Sequence, residues 1–245
     1  MSASISSGQA DGSNTPGLAA CGFSGSGRTT QLRKWLQRPL CAGLLVGGQS
    51  ARMGQPKALL DFHGKTLGEI AARALSDGLE AQRSREGAAP RRANLLLLGG
   101  GVVPPALKAL PRLDDVPGVS GPLAGVLAAH RWAPLAAWVV AACDHPWLSG
   151  EDIRGLISQR RPGVWAILAM QSDHRPCPTL ALYEPQALAV LERALRAQGS
   201  AARLAELIDH PRTIVCLLGA RGTVNVNTPA ELATADAQDK AERKI

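Results

Sequence analysis

Aromatic side chains are scarce in this chain. Of its 245 residues one is Tyr, two are Phe and five are Trp, 3% in all. A core must then be assembled mainly from Leu, Ala and Val, which suits helices stacked on a sheet. The five cysteines (Cys21, Cys41, Cys143, Cys177, Cys216) are an odd count without a C-x-x-C pair, which speaks against a disulfide framework or a zinc site. Cys41, Cys143 and Cys216 lie in apolar runs, where reduced thiols pack as small hydrophobes, as in a cytosolic protein. The histidines (His63, His130, His145, His174, His210) show no metal-ligand spacing and read as scattered surface or loop residues. No run approaches 18 apolar residues, and residues 1–17 lack the charged start and apolar core of a secretory signal. A soluble, cytoplasmic protein without a membrane partner is expected.

Long basic runs are missing as well. The formal charge is +7, of which Arg28, Arg33, Lys34 and Arg38 against Asp11 supply +3 within residues 1–40. The remaining +4 is spread thinly and without interleaved aromatics, so no nucleic-acid partner is expected. A protein that handles triphosphates would also be basic.

What is present is 45% hydrophobic residues, ample for a buried core. Residues 1–18 are rich in Ser, Gly, Asn and Asp and read as disordered. Beyond them, short apolar runs alternate with helical patterns: LCAGLLV, a helix over 66–77, NLLLLG, a helix over 104–110, a helix after Gly121, AAWVVAAC, a helix over 149–160, and VWAILAM. Continuous apolar runs mark strands covered on both faces, so the fold class is α/β, a Rossmann-like, mainly parallel sheet with helices on both faces. Such sheets bind ligands at the carboxyl ends of their strands, which directs attention to the loops after Val46, Gly99 and Cys143. The expected organisation is an N-terminal extension over 1–38, a main domain over 39–235, and a charged C-terminal tail over 236–245 that frays from a helix.

Directly after the first run comes VGGQSARMGQPK, residues 46–57. Gly47, Gly48 and Gly54 would let the backbone approach a ligand and turn N–H groups toward phosphate oxygens, while Arg52 and Lys57 would neutralise them. On its own the loop reads equally well as a Gly-rich turn with two solvated cations. It is not a dinucleotide fingerprint, since the G-x-G-x-x-G spacing is absent.

Four blocks then occur in one order: LLVGGQSARMGQPKALL; GPLAG at 121–125; CDHP at 143–146; and VNVNTP at 224–229. Together they resemble the molybdenum cofactor guanylyltransferases of the nucleotidyltransferase superfamily, over residues 39 to about 235, and imply a nucleotide-diphospho-sugar transferase type of fold. The resemblance implies backbone contacts from Leu45, Val46 and Gly47 to the nucleotide, phosphate binding by Lys57, a nucleotide-binding aspartate at Asp114 (with Asp115 adjacent), and a magnesium ligand at Asp144. A carboxylate closing the run AAWVVAAC would be expensive to bury unpaired, and a hard oxygen ligand suits Mg²⁺. The alternative is that Asp144 caps the helix near Ser149 or closes a turn with Pro146. Asn225 and Asn227 orient ligands or pack the turn before the last helix. Arg175, in the turn with Asp173 and His174, is a candidate for the acceptor phosphate. Trp132, Trp138, Trp147 and Trp165 read as core or rim packing.

Three departures stand out. Pro56 replaces the family's usual Asp, which leaves guanine against cytosine open; Val46 replaces an Ala; and LGGG at 98–101 stands where the family places an Asn. Residues 22–29, GFSGSGRT, follow the P-loop pattern with Arg28 in place of Lys and resemble the start of the partner GTP-binding protein of the same pathway. With no room for the rest of that fold before Leu40, they read as a remnant or a flexible leader.

The expected activity is Mg²⁺-dependent transfer of GMP from GTP to molybdopterin with release of pyrophosphate, with Lys57, Arg52 and Asp144 as the catalytic groups. Transient contact with other cofactor-biosynthesis proteins is expected. Competing readings are a cytidylyltransferase of the same cofactor, a sugar- or polyol-phosphate nucleotidyltransferase, and, from another class, a nucleotide-binding scaffold or sensor.

Overall fold

A computed structural model describes residues 39–47, 54–85, 95–219 and 221–242. The N-terminal extension with its P-loop-like segment, Gly48 and Arg52 lie outside them.

Seven strands form the main sheet: β1 (Leu40–Leu45), β4 (Leu95–Leu98), β5 (Arg112–Leu113), β6 (Ala137–Ala142), β7 (Ala166–Met170), β8 (Pro176–Tyr183) and β9 (Thr213–Cys216), in the order β5-β4-β1-β6-β8-β7-β9. All run parallel except β8, which pairs antiparallel with both β6 and β7. A two-stranded hairpin, β2 (Asp61–Phe62) and β3 (Lys65–Thr66), stands apart.

The continuous apolar runs are covered on both faces, as their composition requires. Ala42, Leu44, Leu95, Leu97, Val139, Ala141, Ile167 and Ala169 point into one core layer. Their neighbours Cys41, Leu45, Leu96, Leu98, Trp138, Val140, Ala166 and Leu168 point into the other. Helices α1 (Leu67–Arg85) and α3 (Gly150–Ser158) cover the first layer, and α2 (Pro122–Trp132) and α4 (Pro185–Gln198) the second. At Gly43 the layers leave no room for a side chain, since a Cβ there would overlap the Leu98 side chain.

Three local expectations change. The helix over 104–110 is only a 3-10 turn, Pro105–Leu107, because Pro111 ends the segment and the chain enters β5. Helix α1 runs to Arg85, well past 77. Residues 236–242, expected as the frayed end of a helix, are an ordered continuation of helix α5 (Pro229–Glu242). That helix is held against the β2–β3 hairpin, with His63 Nε2 2.9 Å from Asp239 Oδ2, and Arg221 and the Trp147 indole N–H also reaching the nine-tenths buried Asp239.

The chain runs from β1 outward to β4 and β5, then returns to place β6 on the other side of β1. That reversal opens a crevice at the carboxyl ends of β1 and β6, the place where open parallel sheets take ligands.

Candidate active site

A cavity of about 740 Å³ occupies this crevice. It is lined by Leu45, Val46 and Gly47 after β1, Gly100, Gly101 and Val102 after β4, Asp115 after β5, Gly121 and Gly125 at α2, Cys143 and Asp144 after β6, and Thr179 of β8. Lys57 and Asn227 complete the wall from the 3-10 turn Lys57–Leu59 and the approach to α5.

One side is made of backbone. Val46 N–H donates to the Leu98 carbonyl at 3.0 Å, joining the two loops at their roots. A Cβ on Gly101 would overlap the Val46 carbonyl, and Gly99, at φ 100°, comes so close to Gly47 that its Cβ would lie 3.1 Å from the Gly47 Cα. The LGGG stretch, to which no contact could be assigned from sequence, is thus what lets the β4 loop close on the β1 loop.

The opposite side is made of charge. Lys57 Nζ lies 3.2 Å from Asp144 Oδ2 and donates to Asn227 Oδ1 at 2.8 Å. Both members of the ion pair are about four-fifths buried. The VNVNTP block is laid along CDHP by two bonds, Val226 N–H to the Asp144 carbonyl at 2.8 Å and His145 Nδ1 with the Val224 carbonyl at 3.3 Å. Asn227 is set by the cap of α5: its N–H donates to Glu231 Oε2, and the Glu231 N–H returns to Thr228 Oγ1, with Pro229 in the first turn.

Asp144 does not cap helix α3, for that is done by Ser149 in a capping box with Asp152. Its Oδ1 is buried without a hydrogen-bond partner, although His145 Nε2 is 3.4 Å away, too poorly aligned to donate. An anionic oxygen left in that state suits a hard divalent cation. Among the described residues no group of three or more His, Cys, Asp or Glu is placed to hold a metal, so such a cation would take Asp144 and draw its other ligands from phosphates and water.

His145 lies in a loop, as expected, but it is buried beneath Asp144 rather than at the surface, its Nε2 also 3.9 Å from Cys177 Sγ. Burial alone would lower its imidazole, but Cys177, the Asp144 charge and the Val224 carbonyl outweigh that and hold it above its ordinary value. Burial also opposes ionisation of Cys177, and His145 with Thr179 outweigh it, so that thiol lies below its usual range. Cys143, by contrast, is pushed up to about 12 by burial and the adjacent Asp144, and stays protonated with its Sγ 3.4 Å from the Leu45 carbonyl. A position after a strand and beside an aspartate was the one signal in the sequence that pointed to His145.

Other expectations sort cleanly. Of the adjacent aspartates it is Asp115, not Asp114, that lines the cavity, because neighbours in an extended segment project to opposite sides. Arg175 lies on the exposed β7–β8 turn, 3.6 Å from Asp173, and does not line the cavity, since the antiparallel pairing of β8 carries that turn outward. Asn225 is half-buried and also absent from the wall. The tryptophans behave as packing: Trp138 is fully buried, Trp147 packs on Phe62, Trp165 stacks on His210, and Trp132 meets Trp138 edge to face.

Comparison with known proteins meets this geometry directly. The MobA-like NTP transferase domain matches residues 42–211. The chain belongs to that family. It is therefore a nucleotidyltransferase. Among curated relatives, the "Probable molybdenum cofactor guanylyltransferase" of Deinococcus radiodurans is 33% identical over 201 residues, 80% of this chain and 93% of that one. The molybdenum cofactor guanylyltransferase of Pseudomonas putida is 33% identical over 199 residues, 79% and 96% of the two chains. Among solved structures, molybdopterin-guanine dinucleotide biosynthesis protein A of Archaeoglobus fulgidus superposes with a TM-score of 0.57 at 21% identity, covering 82% of this chain and 98% of its own. That likeness bears on the fold of this nucleotidyltransferase. No helix among the described residues is long and apolar enough to cross a membrane.

Proposed function

We propose that this nucleotidyltransferase moves GMP from GTP to the phosphate of molybdopterin, releasing pyrophosphate in a Mg²⁺-dependent reaction. The observation that carries the chemistry is Lys57 Nζ held between Asp144 and Asn227 across the crevice from the glycine wall. The names of the guanylyltransferase relatives support the choice of substrates.

A phosphate acceptor is already ionised, so the work is positioning and charge stabilisation. The backbone wall at Val46, Gly47 and Gly101 leaves room for a nucleotide to lie against main chain, and Asp115 stands at its edge. Lys57 would hold the phosphates undergoing exchange, and Asn227 and Asp144 keep its ammonium aimed into the cavity. Mg²⁺, held by Asp144, would polarise the phosphate oxygens and offset charge on the departing pyrophosphate. His145, pinned to Val224, supports the Asp144 loop from below. Gly48 and Arg52 belong to the same proposed phosphate loop by sequence.

The direct test offers the protein GTP, CTP, ATP and UTP with molybdopterin, with and without Mg²⁺, and follows pyrophosphate. Release with GTP alone, abolished by chelation, is expected. Release with CTP in preference, or tight triphosphate binding without release, would overturn the assignment in favour of a cytidylyltransferase or a nucleotide sensor.

A further inference from the structure

The cavity has a side chamber of about 310 Å³ that shares Gly121, Pro122 and Thr179 with it. The chamber is otherwise lined by Ser120, Leu123, Pro178, Arg203 and Leu204. Its place in the sheet is informative. The glycine wall and Asp115 follow β1, β4 and β5, the Lys57–Asp144 pair stands at β6, and Thr179 lies on β8, the next strand in the order. A nucleotide against the glycine wall puts its reacting phosphorus near β6, so the attacking molecule has to extend toward β8, where this chamber opens.

Its chemistry is mixed. The buried Leu123 and Leu204 form an apolar floor beside the half-buried Pro178, and Pro178 is fixed by the fully buried Tyr183, whose hydroxyl donates to its carbonyl at 2.6 Å. Arg203 supplies the cation. One guanidinium nitrogen, Nη1, is tied to the Ser200 and Ala202 carbonyls at 2.5 and 2.8 Å. Among the described residues no carboxylate pairs with Arg203, and its Nε and Nη2 make no hydrogen bond. A guanidinium pinned by one corner presents the rest of its planar fork to an anion.

Building on the transferase reading above, we infer that this chamber is the subsite for the body of the acceptor, and that Arg203 binds a second negatively charged group on it, remote from the phosphate that attacks. The acceptor class is therefore a phosphate ester carrying an apolar ring system and a further anionic group, with Arg203 as a specificity residue for that second group.

The experiment measures the KM for molybdopterin and for GTP separately in the full chain, for the wild type, Arg203→Ala, Arg203→Lys and Ser120→Asp, with a thermal melt on each. Arg203→Ala should raise the acceptor KM about 10- to 100-fold, the range for losing a charged hydrogen bond, and leave the GTP KM within about twofold. Arg203→Lys should restore part of the loss. Ser120→Asp, on the exposed rim, should raise the acceptor KM through repulsion without touching the Arg203 backbone ties, and it decides the matter should Arg203→Ala not fold. An acceptor KM within about twofold of wild type in the folded variants, or equal rises for both substrates, overturns the subsite alone. A wild type that transfers to molybdopterin from no triphosphate overturns the transferase reading, and the subsite falls with it.

Discussion

The two sides of the crevice are built from different materials. The β1–β4 side is main chain: Gly47, Gly99 and Gly101 bring two loops into contact, and a Cβ at Gly101 would overlap the Val46 carbonyl. The β6 side is made of side chains whose positions depend on segments far apart in sequence, with Lys57, Asp144 and Asn227 joined by bonds spanning 87 and 170 residues. A backbone surface is specified by the absence of side chains and tolerates no addition. A charged cluster is specified by partners, so removing one member leaves the others wrongly paired.

That contrast is sharpest where charge is removed. Asp144→Ala and Lys57→Ala should each lower turnover by about 10²- to 10³-fold, as expected for one electrostatic contact to a reacting phosphate, while circular dichroism shows a folded protein. More than half the wild-type rate in either variant would remove the charged side from the mechanism.

The backbone side should fail differently. Gly101→Ala is expected to cost about 1 to 3 kcal/mol of stability, the usual range for overpacking, and to weaken triphosphate binding more than it changes the rate at saturation. Equilibrium unfolding and nucleotide titration check this, and a variant as stable as wild type would show that the loops have slack.

The junction between the sides comes next. Asp115→Ala should weaken triphosphate binding by about tenfold, the loss of one hydrogen bond to a charged group, and Asp114→Ala should leave it within about twofold. Reversal of that order in isothermal titration would restore Asp114.

The smallest effect serves as a control far from the crevice, where Arg131 of α2 meets Glu192 of α4 at 2.6 Å. The Arg131 hydrogen bond holds the Glu192 carboxyl below its ordinary value. The folded pKa is depressed, so this pair stabilises the protein above the unfolded carboxylate pKa and loses that contribution as pH falls through the lower, folded value. Arg131 is about half exposed, which limits the gain to under about 1 kcal/mol. Glu192→Gln should flatten the acid side of a melting-temperature profile slightly and leave turnover unchanged; an altered rate would mean that the back of the sheet communicates with the site.

Much of this was legible before any fold was known. Unbroken apolar runs such as AWVVAA and LLLL read as strands covered on both faces, and each took its place in the sheet. Cys41, Cys143 and Cys216 are buried in the core layers, as their apolar runs implied. Residues placed by their position after a strand, Lys57 and Asp144, came together as expected. The failures share a cause. Asp115 rather than Asp114 on the cavity wall, Arg175 on an exposed turn away from it, and the buried state of His145 all turn on which way a side chain faces, and loops carry no periodicity from which to read it.

The order and spacing of the blocks therefore determined by themselves the α/β class, the family and the strand ends at which chemistry gathers, because local hydrophobic pattern and glycine placement act over a few residues. Tertiary structure alone decided that the last helix carries Asn227 to Lys57, that Asp239 is buried against His63, and that an antiparallel β8 brings Thr179 to the crevice while sending Arg175 away. Those outcomes depend on chain segments packing from opposite ends of the sequence, and no local stretch contains that information.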